Sequence, residues 1–282
     1  TWARRGEAPH SAKIRSGHTT HPYPAMAILF DLDGVFYRGD RVIPGAAEVA
    51  SWARREAIPH LFLTNTTSRP RQDLLQKLAK LGIDTDAEHI LTPPVAAVQW
   101  CKQNLQGEKV ALFVPEKTRV EFSSLEECTD DQGPVGAVVI GDLGRSWTFG
   151  TLNTAFRLLM QTPQPRLLAL GMTRYWQSTD GLQLDVAPFV VGLSYASGVE
   201  PLVLGKPASS FYQAAVRLLG VEKDRVVMVG DDIRSDVEGA QQAGLCGVLV
   251  RTGKFRQQDL SSGIRPVAVL DSIADLPQWY RA

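Results

Sequence analysis

Cysteine is scarce: Cys101, Cys128 and Cys246 are the only three in 282 residues, far apart and without a CxxC pair or zinc-like spacing. So odd and scattered a set excludes a disulfide framework and reads as reduced thiols in a cytosolic protein. Net charge is missing as well. Thirty Lys and Arg balance thirty Asp and Glu, so bulk electrostatics point to neither nucleic acid nor a membrane surface. No apolar stretch approaches the roughly 20 residues needed to cross a bilayer. There is no recognisable secretory signal, internal repeat or low-complexity tract. What is left is a globular chain, 44% hydrophobic and 21% charged, long enough to bury a large core in one domain or two.

Residues 1–25 are basic, rich in His, Pro and small polar residues, and lack apolar periodicity, so they are expected to lie outside the fold. From Met26 onward, short β-branched runs alternate with longer helical stretches, the pattern of a doubly wound parallel α/β sheet with helices on both faces. Strands are expected at 27–30, 60–64, 225–229 and 247–250. Between them, helices are expected at 46–55, at 70–81 with Ser68 as cap and Gly82 as stop, from Pro207 to Leu219, and from a Ser235 cap to Gly244. A second run of alternation, with strands at 109–114, 135–140 and 166–170, indicates an inserted α/β unit. The expected division is a core of 26–85 plus 200–282 and an insert of 86–199.

Three expected core strands end directly in polar clusters: Asp31-Leu32-Asp33, Thr64-Asn65-Thr66 and Gly230-Asp231-Asp232. Ligands of open α/β sheets bind beyond the carboxyl ends of the strands, so these clusters should meet in one crevice. Two acids separated by one residue, with Gly34 to let the chain turn, invite a divalent cation. Mg²⁺ prefers about six oxygen ligands, usually one or two carboxylates with water and phosphate oxygens. Asp31 and Asp231 are the natural carboxylate ligands, with Asp232 and Asp236 in support. Lys206, in Gly205-Lys206-Pro207, offers a compact positive charge, while Thr64 and Asn65 add a hydroxyl, an amide and backbone N–H donors. Together these parts suit in-line phosphoryl transfer. Taken singly, each is ordinary: a DxDG occurs in turns, a Lys before a helix-starting Pro is common, and Asp236 suits any helix N-terminus. Their order at successive strand ends carries the reading.

The set Asp31-Leu-Asp-Gly-Val35, Thr64-Asn65, Gly205-Lys-Pro207 and Gly230-Asp-Asp-Ile-Arg-Ser-Asp236 resembles the four motifs of haloacid dehalogenase superfamily phosphatases. The large insert between the second and third motifs, together with Val250-Arg-Thr-Gly-Lys254, is similar to the class IIA, NagD-like branch. The resemblance runs from Met26 to the C-terminus. It implies a Mg²⁺-dependent enzyme in which Asp31 is the nucleophile that becomes an aspartyl-phosphate and Asp33 is the acid and base. Asp33 would be partly buried beside its fellow acid, and would also offer its backbone carbonyl to the metal. Thr64 and Asn65 would grip the phosphoryl group, Lys206 would neutralise charge beside Asp31, and Asp232 and Asp236 would orient Lys206 or metal-bound water. The substrate would be a small phosphomonoester, or a pyrophosphate or phosphoamide, with specificity from insert residues such as Asp142, Arg145, Arg174, Tyr175 and Asp185. The same analogy admits a homodimer. Phosphotransfer to a second substrate, or a non-hydrolytic signalling role like that of receiver domains, are the alternatives. A receiver is disfavoured by the long insert and by Asp33, whose acid would hasten loss of the phosphate.

Overall fold

The computed structural model describes residues 26–129, 133–178 and 180–282; the segment 1–25, expected to lie outside the fold, is outside the described residues. Strand β1 (Ala27–Asp31) is followed by a small ribbon, β2 (Tyr37–Arg38) with β3 (Arg41–Val42), then α1 (Ala46–Arg55), β4 (His60–Leu63), α2 (Arg71–Lys80), β5 (Ile90–Leu91) and α3 (Pro93–Asn104). The insert runs through β6 (Val110–Phe113), β7 (Ala137–Ile140), α4 (Phe149–Leu159), β8 (Arg166–Ala169), a hairpin of β9 (Tyr175–Ser178) and β10 (Gly181–Leu184), α5 (Ala187–Ser197) and β11 (Pro201–Val203). The chain then returns with α6 (Ser209–Leu219), β12 (Val226–Gly230), a π-helical turn Ile233–Glu238 continued by α7 (Gly239–Gln242), β13 (Cys246–Val250), β14 (Ala268–Leu270) and α8 (Leu276–Arg281). Among the described residues, no helix is long and apolar enough to cross a membrane.

The core sheet is six-stranded and parallel, in the order β14-β13-β12-β1-β4-β5. Its strands are apolar at consecutive positions because both faces are covered. Leu29, Leu61 and Met228 pack on one face, and Ile28, Phe30, Phe62 and Val227 on the other. Register decides where the chemistry falls. Phe30 pairs with Phe62 on one side and Val229 on the other, so Asp31, Thr64 and Asp231 all emerge within two residues of that line, at one edge of the sheet.

The insert is a second parallel sheet, β11-β8-β7-β6, again buried on both faces. Helix α3 joins the two units. Val95, Ala96, Ala97, Val98 and Cys101 belong to a continuous apolar cluster that includes Leu61 and Leu63 of the core and Val110, Leu112 and Val139 of the insert. Two short strands cross the expected boundaries. Ile90–Leu91, assigned to the insert, pairs with β4 of the core, and Pro201–Val203, assigned to the core, pairs with β8 of the insert. Strands of two or three residues are too brief to show periodicity, so the sheets divide the chain a few residues later than composition indicated.

One cap also differs from expectation. Pro70, not Ser68, is the N-cap of α2, and it has no side-chain acceptor. The carboxylate of Glu121 in the insert fills that need: it accepts from Arg71 N–H at 2.6 Å and from Arg71 Nε at 2.9 Å, while Thr118 Oγ1 donates to Thr67 O at 2.9 Å. The insert thus holds the loop that follows β4.

Phe30 is fully buried, with ring centroids of Phe36 and Phe62 at 5.2 and 5.5 Å. Phe30→Ala should lower stability by about 3–5 kcal/mol, read as a fall in the urea midpoint. A loss under about 1 kcal/mol would show that this aromatic cluster is not packed as described.

Candidate active site

Asp31 ends β1 with 8% of its surface exposed, and Lys206, 7% exposed, reaches it from the segment that follows β11. Lys206 Nζ donates to Asp31 Oδ1 at 2.5 Å and to Asp236 Oδ1 at 2.7 Å. Burial pulls the Lys206 ammonium toward loss of its proton, but Asp236 and Asp31 outweigh it and hold the group charged, above the ordinary lysine range. Burial raises the Asp31 carboxyl, and Lys206 opposes that rise. The same pair of effects leaves Asp236 at about 6.

The placement of Asp236 depends on local chain chemistry. Asp232 caps the π-helical turn, its Oδ1 accepting from the N–H groups of Arg234 and Ser235 at 3.0 and 3.1 Å. That cap was expected from Ser235, which instead donates. The turn directs Asp236 inward, where Oδ2 accepts from Asp232 N–H at 3.0 Å and Oδ1 meets Lys206. Tyr212 Oη, donating to Ser235 O at 2.5 Å, pins the turn from behind. So Asp236 accepts from Lys206, while Asp232 secures the turn and has no hydrogen bond to Lys206 among the described residues.

Asp231 leaves β12 with 1% exposure, packed against Gly34 and Gly253. Both glycines have positive φ, +89° and +62°, and a Cβ on either would overlap the Asp231 carboxylate. Lys254 N–H donates to Asp231 Oδ2 at 2.6 Å, and Thr252 Oγ1 donates to Gly34 O at 2.5 Å, so the 251–254 segment braces both motifs. Asp231 Oδ1 is buried without any hydrogen-bond partner. Asp31, Asp231 and Asp236 each offer one oxygen within 4.8 Å of the others. Three acids with an orphaned buried oxygen fit a divalent cation, which would relieve a desolvation cost that nothing in the chain offsets.

Asn65 departs from expectation. Its Nδ2 donates one N–H to Lys206 O at 2.9 Å and its Oδ1 accepts from Lys206 N–H at 2.8 Å, so the side-chain amide holds the lysine segment and keeps a second N–H at the cavity wall. Thr64 remains at the site, its Oγ1 3.0 Å from Thr66 Oγ1 and accepting from Thr66 N–H at 3.2 Å. Asp33 is exposed, against the expected partial burial, although Leu32 before it and Gly34 to Tyr37 after it are buried and Tyr37 bridges back to it.

These groups open onto a cavity of about 440 Å³ lined by Asp31, Asp33, Thr64, Asn65, Thr66 and Lys206. Its wall also contains Tyr37, Arg69 and Lys77, which were not among the expected site residues, and Lys254, which was marked only as part of a motif. None of the insert candidates Asp142, Arg145, Arg174, Tyr175 and Asp185 lines it. Arg145 pairs with Asp180 at 3.4 Å, and Asp185 Oδ1 accepts from Val186 N–H at 2.7 Å.

With four motifs gathered at one sheet edge, the comparison with known proteins is direct. Residues 28–126 match the haloacid dehalogenase-like hydrolase family, and 203–276 match a second, HAD-hydrolase-like description. The chain is 38% identical over 236 residues to phospholysine phosphohistidine inorganic pyrophosphate phosphatase of Homo sapiens, covering 82% of this chain and 85% of that one. The chain belongs to the haloacid dehalogenase-like hydrolase family. Among solved structures of the family, it superposes on p-nitrophenyl phosphatase of Archaeoglobus fulgidus with TM-score 0.80 and 25% identity, covering 91% of this chain and 100% of that one. NagD of E. coli K-12 gives 0.78 and 25%, covering 89% and 97%, in keeping with a class IIA member.

Burial lifts the Asp231 carboxyl from 3.8 to about 6. A raised folded-state value favours the protonated acid, so without divalent cation this group's contribution to stability is complete below 3.8 and is lost as pH rises through about 6. Asp231→Asn should therefore flatten the decline of the metal-free thermal midpoint across that interval. Identical pH profiles for the two proteins would contradict it.

Proposed function

We propose that this family member is a Mg²⁺-dependent phosphatase acting through an aspartyl-phosphate on Asp31. The observation that carries the reading is the Lys206 ammonium fixed between Asp31 and Asp236, beside an Asp231 oxygen with no partner. An ammonium 2.5 Å from the nucleophile opposes the upward push of burial on that carboxyl, orients it, and lessens its repulsion for an incoming phosphate. The carboxylates of Asp31 and Asp231, with the Asp33 carbonyl, would hold the cation, which when bound supplies charge neutralisation for the phosphoryl oxygens.

In the first step an Asp31 oxygen bonds to phosphorus as the bond to the leaving oxygen breaks, and Asp33 delivers a proton to that oxygen. In the second, Asp33 takes a proton from water, whose oxygen attacks phosphorus and releases Asp31 and inorganic phosphate. The exposure of Asp33 supports a group that must reach both a leaving oxygen and water. The Thr64 hydroxyl and the backbone N–H groups beside it are the proposed phosphoryl donors, along with Lys206. Asn65 acts through the lysine backbone it clasps.

A small phosphorylated compound is the proposed substrate, with a pyrophosphate or phosphoamide bond as the alternative to a monoester; the name of the Homo sapiens relative supports including those bonds. A cytoplasmic location belongs to the same reading, and the absence of a disulfide among the three cysteines supports it. A homodimer is also proposed, supported by Phe149 and Tyr195 on the insert helices, 84% and 91% exposed. A monomer in sedimentation at micromolar concentration would remove that part.

Asp31→Asn should abolish Mg²⁺-dependent release of phosphate from an aryl phosphate while leaving the circular dichroism spectrum unchanged, and Asp33→Asn should slow release by about 10²- to 10⁴-fold. Turnover undiminished in the first variant would end the nucleophile assignment, and undiminished in the second, the acid–base assignment.

A further inference from the structure

The cations that line the cavity are not equivalent. Lys206 is engaged by Asp31 and Asp236, and Lys254 lies 3.4 Å from Asp232 while its N–H serves Asp231. Arg69 and Lys77 line the same cavity, and neither has a carboxylate partner among the described residues. Tyr37 stands with them. It is only 4% exposed, its ring lies 4.0 Å from Lys77 Nζ, and its hydroxyl has no hydrogen-bond partner among the described residues. With its ring buried and its hydroxyl unpartnered in a cavity wall, Tyr37 has an O–H free to donate to a ligand.

Position assigns this group to one end of the substrate. Tyr37 pairs with Asp33 in an isolated bridge, and its carbonyl accepts from Gly34 N–H at 2.7 Å, so the tyrosine is built onto the loop that carries the proposed acid. The acid must lie beside the leaving oxygen, because it delivers the proton there. Negative charge on the transferring phosphoryl already has Lys206 and the cation site. Lys77 against the Tyr37 ring, a hydroxyl on the Asp33 loop and Arg69 in the same cavity wall therefore call for negative charge on the part that leaves.

We propose that Tyr37, Arg69 and Lys77 form a leaving-group subsite for a second anionic group, carboxylate or phosphate, on the portion of the substrate released. The subsite rests on the phosphatase reading given above. It makes the core, not the insert alone, a determinant of specificity: Arg69 and Lys77 contribute charge, and Tyr37 a hydrogen bond.

The test compares ethyl phosphate, carboxymethyl phosphate and pyrophosphate as substrates with Mg²⁺, in the wild-type chain and in Arg69→Gln, Lys77→Gln, Arg69→Lys and Tyr37→Phe. The measure is the ratio of kcat/KM for each anionic compound to that for ethyl phosphate, normalised to wild type, which cancels any loss of folded protein. Arg69→Gln and Lys77→Gln should each lower that ratio by about tenfold or more, chiefly through KM, the usual worth of a hydrogen bond to a charged group. Arg69→Lys should recover part of the loss, and Tyr37→Phe should lower the ratio less. A fall confined to carboxymethyl phosphate assigns the subsite to carboxylates, and one confined to pyrophosphate assigns it to phosphate. Ratios unchanged in both glutamine variants would overturn the subsite while leaving the phosphatase intact. If the wild-type chain hydrolyses none of the three but still hydrolyses an aryl phosphate, the subsite is overturned alone; if it hydrolyses neither, the phosphatase reading falls and the subsite with it.

Discussion

The site is organised around one ammonium group taken out of water. Bringing Lys206 into the interior costs several kcal/mol of hydration, and only close, well-oriented carboxylates can offset it. Asp31 and Asp236 do so from two different parts of the chain, one at the end of a central strand and the other on a π-helical turn. Neither acid could be buried alone. Much of the surrounding construction reads as what is needed to keep this cluster in register: the Asn65 clasp on the lysine backbone, the Tyr212 bond behind the turn, and the Asp232 cap that starts it.

That arrangement leaves an electrostatic imbalance. The ammonium satisfies one oxygen of Asp31 and one of Asp236, and the second oxygen of Asp236 takes a backbone N–H. Asp231 receives a single backbone donor and keeps one oxygen without any. A fold that excludes side chains at positions 34 and 253 to admit this carboxylate, yet gives it only half its partners, stores a demand for a further cation in the resting protein.

The central strands and the order of the motifs were legible because both rest on local signals. Apolar runs ending in Asp31, Thr64 and Asp231 locate three strand ends, and the sheet's parallel register does the rest. What escaped depends on contacts distant in sequence. Asn65 lies beside Thr64 in the chain, but its role is fixed by Lys206, 141 residues away. Arg69 and Lys77 belong to ordinary polar stretches and acquire meaning only when α2 and the loop before it face the same cavity; Lys254 stands in a quoted motif, but its place in the wall is set by the fold. The exposure of Asp33 between buried neighbours, in a loop bridged back by Tyr37, is nothing that the spacing of acids reveals. Strands β5, β11 and β14, of two or three residues, are set by the neighbours they pair with.

The bonds from Glu121 to Arg71 and from Thr118 to Thr67 bear on how such proteins diversify. An inserted domain is usually pictured as an exchangeable module whose replacement changes the ligand and leaves the catalytic parts alone. Here the insert supplies the acceptor for the first N–H of a core helix and ties down the loop that follows the threonine. Transplanting a foreign insert without matching partners for Thr67 and Arg71 would loosen the reaction centre itself. Exchange of the insert in this protein is therefore bound to the core through these two residues as well as through whatever ligand it meets.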